Sequence, residues 1–401
     1  MRVEKVSYEQ TNFFSKFILD YLSGDHSLTP FYHRTPELSS FKAQLEEKLK
    51  QNVNRSALVE ALNTQYASLK TSDLVRSHIQ LLEKKNTFTV TTGHQLCLFS
   101  GPLYFIYKII TTINLSERLK LEHPDCNFVP IYWMASEDHD FEEINHVHLF
   151  GSKLSWEQPQ QGAVGVMPTD SLTVVLDELK TVLGTSEEAE ALFALFSDSY
   201  LDNKDLTSAT RSLVNSLFSK FGLVVLDAGA VNLKKEAVSL IKKDVLEQSN
   251  YPLIKEVNKD LGRAQAFARP INFFYLQEGS RNRIEQEGAT YVVLNTDLRF
   301  TREELELEIE NYPERFSPNV LLRPLFKELL LPNLAMIGGG AEVNYWMQLK
   351  STFAANKITY PILLLRNSAL VVNSTQIKNT ENGIFSNGLL FNRGGVTSAF
   401  Y

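Results

Sequence analysis

Cysteine is almost missing from this chain: Cys97 and Cys126 are the only two in 401 residues. Two thiols cannot staple a protein of this size, so no disulfide framework is expected and a reducing, cytoplasmic setting is. Long apolar runs are missing too. Nothing reaches 18 residues, and no cleavable apolar stretch follows the polar start Met1-Arg2-Val3-Glu4-Lys5, so neither a membrane span nor a signal peptide is expected. Positive charge is in short supply, with 40 Lys and Arg against 47 Asp and Glu and a net charge of -7. That balance argues against a nucleic-acid partner, which would need a basic surface. Several motifs are absent as well: the P-loop, the G-x-S-x-G elbow, H-E-x-x-H, and G-x-G-x-x-G at Rossmann spacing. There is no internal repeat and no low-complexity tract. What remains is an ordinary globular composition, 43% hydrophobic and 22% charged, long enough to bury a large core.

The first 85 or so residues read as helical. Leu38 to Leu69 has no proline, and Leu45, Leu49 and Val53 recur at helical spacing. A second helical stretch, Ser72 to Lys85, leads into the β-branched run Thr87 to Thr92, which reads as a strand. Gly93-His94-Gln95 leaves that strand. Ser100-Gly101-Pro102 then opens a helix, with Pro102 suited to the first helical position and Ile106, Ile109, Ile110 and Ile113 forming a buried stripe. Phe128 to Met134 reads as the next strand. The resulting βαβ unit implies an α/β fold with a parallel sheet. Leu223 to Leu226, Leu334 to Ile337 and Ile362 to Leu365 read as three more core strands. Polar or glycine-rich residues follow all five, which points to one shared pocket at their carboxyl ends. Residues 151–215 and 236–315 read as insertions capping the core, with a helix near Glu188 to Phe193 and a strand at Ile271 to Leu276. The tail after Val372 shows no periodicity.

Four constellations are candidates for chemistry. In the first, Gly93, His94 and Gln95 precede Gly101-Pro102. A helix N-terminus there would attract an anion, His94 could bind it or move a proton near neutral pH, and Lys108 could add charge. The competing reading is a tight turn with a structural histidine. The second runs from Ser136 through Glu137, Asp138, His139 and Asp140, directly after the strand that carries Trp133. Acidic residues at a strand end can orient hydroxyls or an amine, and Asp beside His can tune a base. His146 and His148 would share a face of an extended segment, but no closed ligand set accompanies them, so no metal is expected. In the third, Gly338, Gly339, Gly340 and Glu342, with Tyr345 and Trp346 following, allow backbone contact with a ligand or form a plain turn. In the fourth, Arg323 could grip an anionic substrate or serve as a salt-bridged structural arginine. Cys97 has no histidine–asparagine context that would make it a nucleophile.

Taken together, TTGHQLCLFSGPLYFIYKI (91–109), PIYWMASEDHDFEEINHV (130–147), INFFYLQEGSRNRI (271–284), the block from Ser317 to Phe353 and PILLLRNSAL (361–370) resemble the bacillithiol-biosynthesis cysteine-adding enzyme family. The resemblance runs from about residue 1 to residue 370. It implies a Rossmann-like parallel-sheet core, similar to class I nucleotidyl-transfer enzymes, with two inserted connecting segments and an N-terminal helical region. The expected division is 1–85 helical, 86–150 first half of the core, 151–215 insertion, 216–235 core strand and loop, 236–315 second insertion, 316–370 second half of the core, and 371–401 a truncated or irregular tail. A coiled coil associated with homodimers would follow in the family. The sequence departs from the family pattern at His94, at Lys327 and at Ala341.

The resemblance implies a ligase that adds L-cysteine to the amino group of glucosaminyl-malate, forming an amide. An ATP-like nucleotide would activate the cysteine carboxylate at the helix near Pro102, by analogy with class I enzymes. Asp138 or His139 would be the base, with His94 next in line, and Arg323 and Arg366 would hold the malate carboxylates. Two rivals stand beside this reading: a nucleotidylyltransferase on the same sheet, and a catalytically silent binding or scaffold protein.

Overall fold

The computed structural model describes residues 5–159 and 161–371. Its strands in chain order are β1 (Thr87–His94), β2 (Asn127–Met134), β3 (His146–Leu149), β4 (Ser152–Ser155), β5 (Val224–Asp227), β6 (Phe273–Gln277), β7 (Ser280–Glu287), β8 (Thr290–Val293), β9 (Arg299–Phe300), β10 (Phe316–Pro318), β11 (Asn333–Gly338) and β12 (Ile362–Leu365). Five of them form one sheet in the order β12-β11-β1-β2-β5, and every neighbouring pair in it is parallel. Helices cover both faces of such a sheet, so its strands read as continuous apolar or β-branched runs instead of alternating ones. β1 and β2 fit this, with unbroken burial from Thr87 to Thr92 and from Phe128 to Met134. This is the α/β, Rossmann-like core expected from the sequence.

From β1 the chain proceeds outward through β2 to β5, then returns to the other side of β1 for β11 and β12. The order therefore reverses between β1 and β11. Such a reversal opens a crevice at the carboxyl ends of the strands, where open α/β sheets bind ligands. Register brings Gly93 beside Trp133 and Gly338 beside Leu365, so all the strand ends lie along one edge.

A second, antiparallel sheet has the order β10-β6-β7-β8-β9, and β3 and β4 form a separate hairpin. The expected strand at Ile271 to Leu276 is β6, starting at Phe273, and the helix expected near Glu188 runs from Glu187 to Leu201.

The N-terminal region differs from the expected continuous helical stripe. Two helices, Phe41–Lys48 and Arg55–Gln65, replace it. Asn54 accepts a hydrogen bond from the Ala57 N–H and starts the second helix afresh. Leu45 is buried, but Leu49 falls at the break and is 54% exposed. Ser72 does cap a helix, Asp73–Leu81, through the Val75 N–H. In the long helix Tyr104–Glu122, Ile109 and Ile113 are buried as expected, whereas Ile110 faces out. Residues 372–401, which include the tail, lie outside the described residues.

Candidate functional site

Two neighbourhoods share the carboxyl edge. The first lies at the reversal between β1 and β11. The expected helix start at Pro102 is displaced to Tyr104, because Phe99, Ser100 and Gly101 all take positive φ (49°, 65° and 55°). This left-handed turn is costly for Phe99 and Ser100. It is held by the Tyr200 hydroxyl, which accepts a 2.9 Å hydrogen bond from the Phe99 N–H. At Gly101 a Cβ would lie 2.5 Å from Cys97 Cβ, so only glycine fits.

Lys108 does not reach outward as a free charge. Its ammonium is buried, donating to the Gly93 carbonyl at 3.0 Å and pairing with Glu342 at 2.5 Å. The same Glu342 oxygen accepts the Gly339 N–H at 2.8 Å, at the start of the helix Gly340–Met347. Arg366 stands over the Tyr104 ring at 5.1 Å and donates to Ser368 Oγ and the Asn367 carbonyl. His94 is packed between Tyr104 and Phe105, with Cys97 Sγ 3.7 Å from its Nε2. Burial, helped by the positive charges of Lys108 and Arg366, pushes its pKa down to about 3. His94 is therefore neutral across the physiological range, which removes the expected proton transfer near neutral pH.

A titration consequence follows from that burial. An unfolded chain protonates His94 near 6.5, whereas the folded chain resists to about 3. Between these values the unfolded state binds more protons, so stability falls as pH drops through this window and is fully present above it. His94→Gln is expected to flatten this acid slope. Urea midpoints measured from pH 4 to pH 7.5 check it, and an unchanged slope would contradict the assignment.

The second neighbourhood is a cleft at the ends of β2 and β5, closed by Pro318 and by Arg323 and Phe326 of the helix Arg323–Leu330. Trp133 forms part of its wall and meets Phe326 edge-on at 5.7 Å. Ser136 donates to Asp227 at 2.5 Å. Glu137 pairs at 2.6 Å with Lys234, a fully buried lysine that also donates to the Phe316 carbonyl. Both Arg323 Nη atoms stand 3.4 Å from Asp138 Oδ2. Arg281, on β7, donates to His139 Nδ1 at 2.9 Å. Burial alone would raise the Asp138 pKa, but the His139 backbone N–H, which donates to Oδ1 at 2.9 Å, and the Arg323 and Arg281 cations outweigh it and hold the carboxyl well below the usual range. So strong an acid is a feeble base, which tells against the expected role of Asp138 as the amine base.

Several other residues sit differently from expectation. Trp346 is a core residue, tilted against Phe353 and edge-on to Tyr360, with the buried Lys327 ammonium 4.6 Å above its ring. Burial pushes the Lys327 pKa down to about 8. Gly340 packs against Ile18, where an added Cβ would sit a tight 3.3 Å from Cγ1, and does not open toward a ligand. Gln95 donates to Glu143 at 2.7 Å. Asp140 is solvent-exposed beside His139, and Tyr345 is partly buried on the helix that carries Glu342. Gly93, Ser136, Glu137, Asp138, Gly338, Gly339, Arg323 and Arg366 do share the edge. Arg281 and Lys234 are central here and carry no local signature. Arg281 lies in SRNRIEQE, which reads as a solvated strand.

A Rossmann-like α/β core with a charged cleft at the strands' carboxyl ends is thus the class of protein in hand. Residues 1–367 match the family described as "Bacillithiol biosynthesis BshC, N-terminal Rossmann-like domain". A Flavobacterium psychrophilum protein named "Putative cysteine ligase BshC" is 48% identical over 386 residues, covering 95% of this chain and 73% of its own length. Proteins of the same name from Flavobacterium johnsoniae (45% identical, 95% and 73%) and Christiangramia forsetii (46% identical, 92% and 71%) are similar over comparable spans. The chain belongs to the BshC family of bacillithiol biosynthesis. No helix among the described residues is long and apolar enough to cross a membrane.

Proposed function

We propose that this protein is the ligase that joins L-cysteine to the amino group of glucosaminyl-malate, forming the amide that completes bacillithiol. Family membership supports the reaction class. The observation that carries the substrate reading is the composition of the β2–β5 cleft. Arg323 offers a cation for the malate carboxylates. On the same strand end, Ser136 and Glu137, braced by Asp227 and Lys234, offer fixed polar groups for sugar hydroxyls and the amine. Glu137 keeps one oxygen on Lys234, so its carboxylate is held in place before substrate arrives.

Making an amide from a free carboxylate needs an activated acyl group, and an ATP-like nucleotide is what the analogy with class I nucleotidyl-transfer enzymes implies. The donors at the β1–β11 reversal do not form an open phosphate cradle. Glu342 already claims Lys108 and the Gly339 N–H, and His94 carries no charge. Deletion of the gene in its host is expected to abolish bacillithiol while glucosaminyl-malate accumulates, as read by mass spectrometry of thiol-labelled and amine-labelled extracts. Undiminished bacillithiol would overturn the proposal.

A further inference from the structure

We infer that Arg281 is a positioning residue that fixes His139, two residues beyond the cleft-lining Glu137, as an Nε2–H hydrogen-bond donor for an acceptor oxygen of the substrate. The inference rests on the amide-forming reading above for the identity of that oxygen, namely the acyl oxygen on which negative charge builds as the amine attacks.

The geometry leaves little choice of tautomer. A guanidinium has five N–H donors and no acceptor. Arg281 spends them on Ser317 Oγ (3.1 Å), the Pro318 carbonyl (3.0 Å) and His139 Nδ1 (2.9 Å). Its plane stacks over Phe274 at 3.9 Å, and the residue is buried. It therefore cannot turn away. The His139 ring packs on the same Phe274, at 5.6 Å. Nδ1 must accept, so in the neutral ring Nε2 carries the hydrogen. A proton added at Nδ1 would meet the guanidinium donor against donor.

The charged groups facing this ring are Arg281 from the second sheet, Asp138 with Oδ1 3.6 Å from Nδ1, and Asp140 with Oδ1 4.0 Å from Nε2. Asp138 is already committed to the His139 backbone N–H (2.9 Å) and to Arg323. Neither carboxylate makes a hydrogen bond to the imidazole at these distances, so Nε2–H is available, and the side chain is 41% exposed. With its one lone pair occupied by Arg281, the ring is arranged to donate instead of taking a proton from the amine. Sequence reading alone favoured the base role.

The test has two arms on the full chain. In the first, ¹⁵N ring shifts of His139 are recorded in the wild-type protein. A bare Nδ1 and a protonated Nε2 are expected, and an Nδ1–H tautomer would overturn the inference whether or not the protein proves to be this ligase. Arg281→Met should mix the two tautomers. Should that variant not fold, the wild-type spectrum and the second arm decide. In the second arm, His139→Ala is expected to lower turnover of cysteine and glucosaminyl-malate by about a hundredfold, as for loss of one oxyanion donor. His139→Gln puts an amide N–H near the Nε2 position and should recover most of that loss. If Gln is as poor as Ala, the donor role fails. If wild-type protein makes no amide, the ligase reading fails while the tautomer result stands on its own.

Discussion

Lys48→Met is expected to cost about 3–5 kcal/mol of folding stability, the usual penalty for stranding one partner of a buried ion pair. Lys48, at the end of the helix Phe41–Lys48, and Glu328, in the helix Arg323–Leu330, are both fully buried, with Nζ 3.5 Å from Oε2. Lys48 also donates to Gln51 and to the Glu328 carbonyl. The other Glu328 oxygen accepts from Asn333 Nδ2 at 2.7 Å, and Asn333 Oδ1 accepts the Thr89 and Thr91 hydroxyls of β1. Burial pulls the Lys48 pKa down and pushes that of Glu328 up, each opposed by the other's charge. Removing the ammonium leaves a buried carboxylate wired to the central strand. The double variant Lys48→Met, Glu328→Gln keeps the Asn333 contact without the charge and should recover much of the loss. Urea denaturation of the single and double variants checks both statements. A single variant within 1 kcal/mol of wild type would mean that water reaches the pair.

Arg323→Ala is expected to weaken binding of glucosaminyl-malate by roughly 1.5–3 kcal/mol, about 10–150-fold, while cysteine affinity changes far less. The guanidinium touches Asp138 only at 3.4 Å and keeps a quarter of its side chain exposed beside the cleft. It is therefore less committed than Arg281, each of whose three guanidinium nitrogens donates to a protein partner. The substitution also takes one of two nearby cations from Asp138, which would compete less well for its ordered place. Calorimetric titration with each substrate separately is the measurement. Equal losses for both substrates would make Arg323 a brace for Asp138 and not a substrate contact.

The sheet was legible in the sequence because parallel strands must be apolar on both faces. Runs such as Ile362 to Leu365 and Phe128 to Met134 admit few other readings. The helix boundary near Pro102 was not legible. Proline at a helix start is the better local guess, and only the tertiary contact between Phe99 and the Tyr200 hydroxyl favours three left-handed residues there. The Leu45, Leu49 and Val53 spacing misled for a similar reason, since Asn54 is an equally good cap and the turn before it frees Leu49. Within the site, Asp138, His139 and Arg323 stood out because they sit beside strand ends and helix starts. Arg281 and Lys234 did not, since what makes them important is a partner far along the chain.

That distance has a consequence for the order of assembly. Arg281 meets His139 across 142 residues, and Arg323 meets Asp138 across 185. Closing such long loops comes late in folding, after local helices and the first strands. On the ribosome, a chain that has emerged only through β5 already holds Asp138 and His139 at its strand end, with neither arginine yet made. There Asp138 has neither arginine beside it, and the His139 ring is free to hold its proton on either nitrogen. The full acidity of the one and the fixed tautomer of the other are acquired only when the last third of the polypeptide arrives.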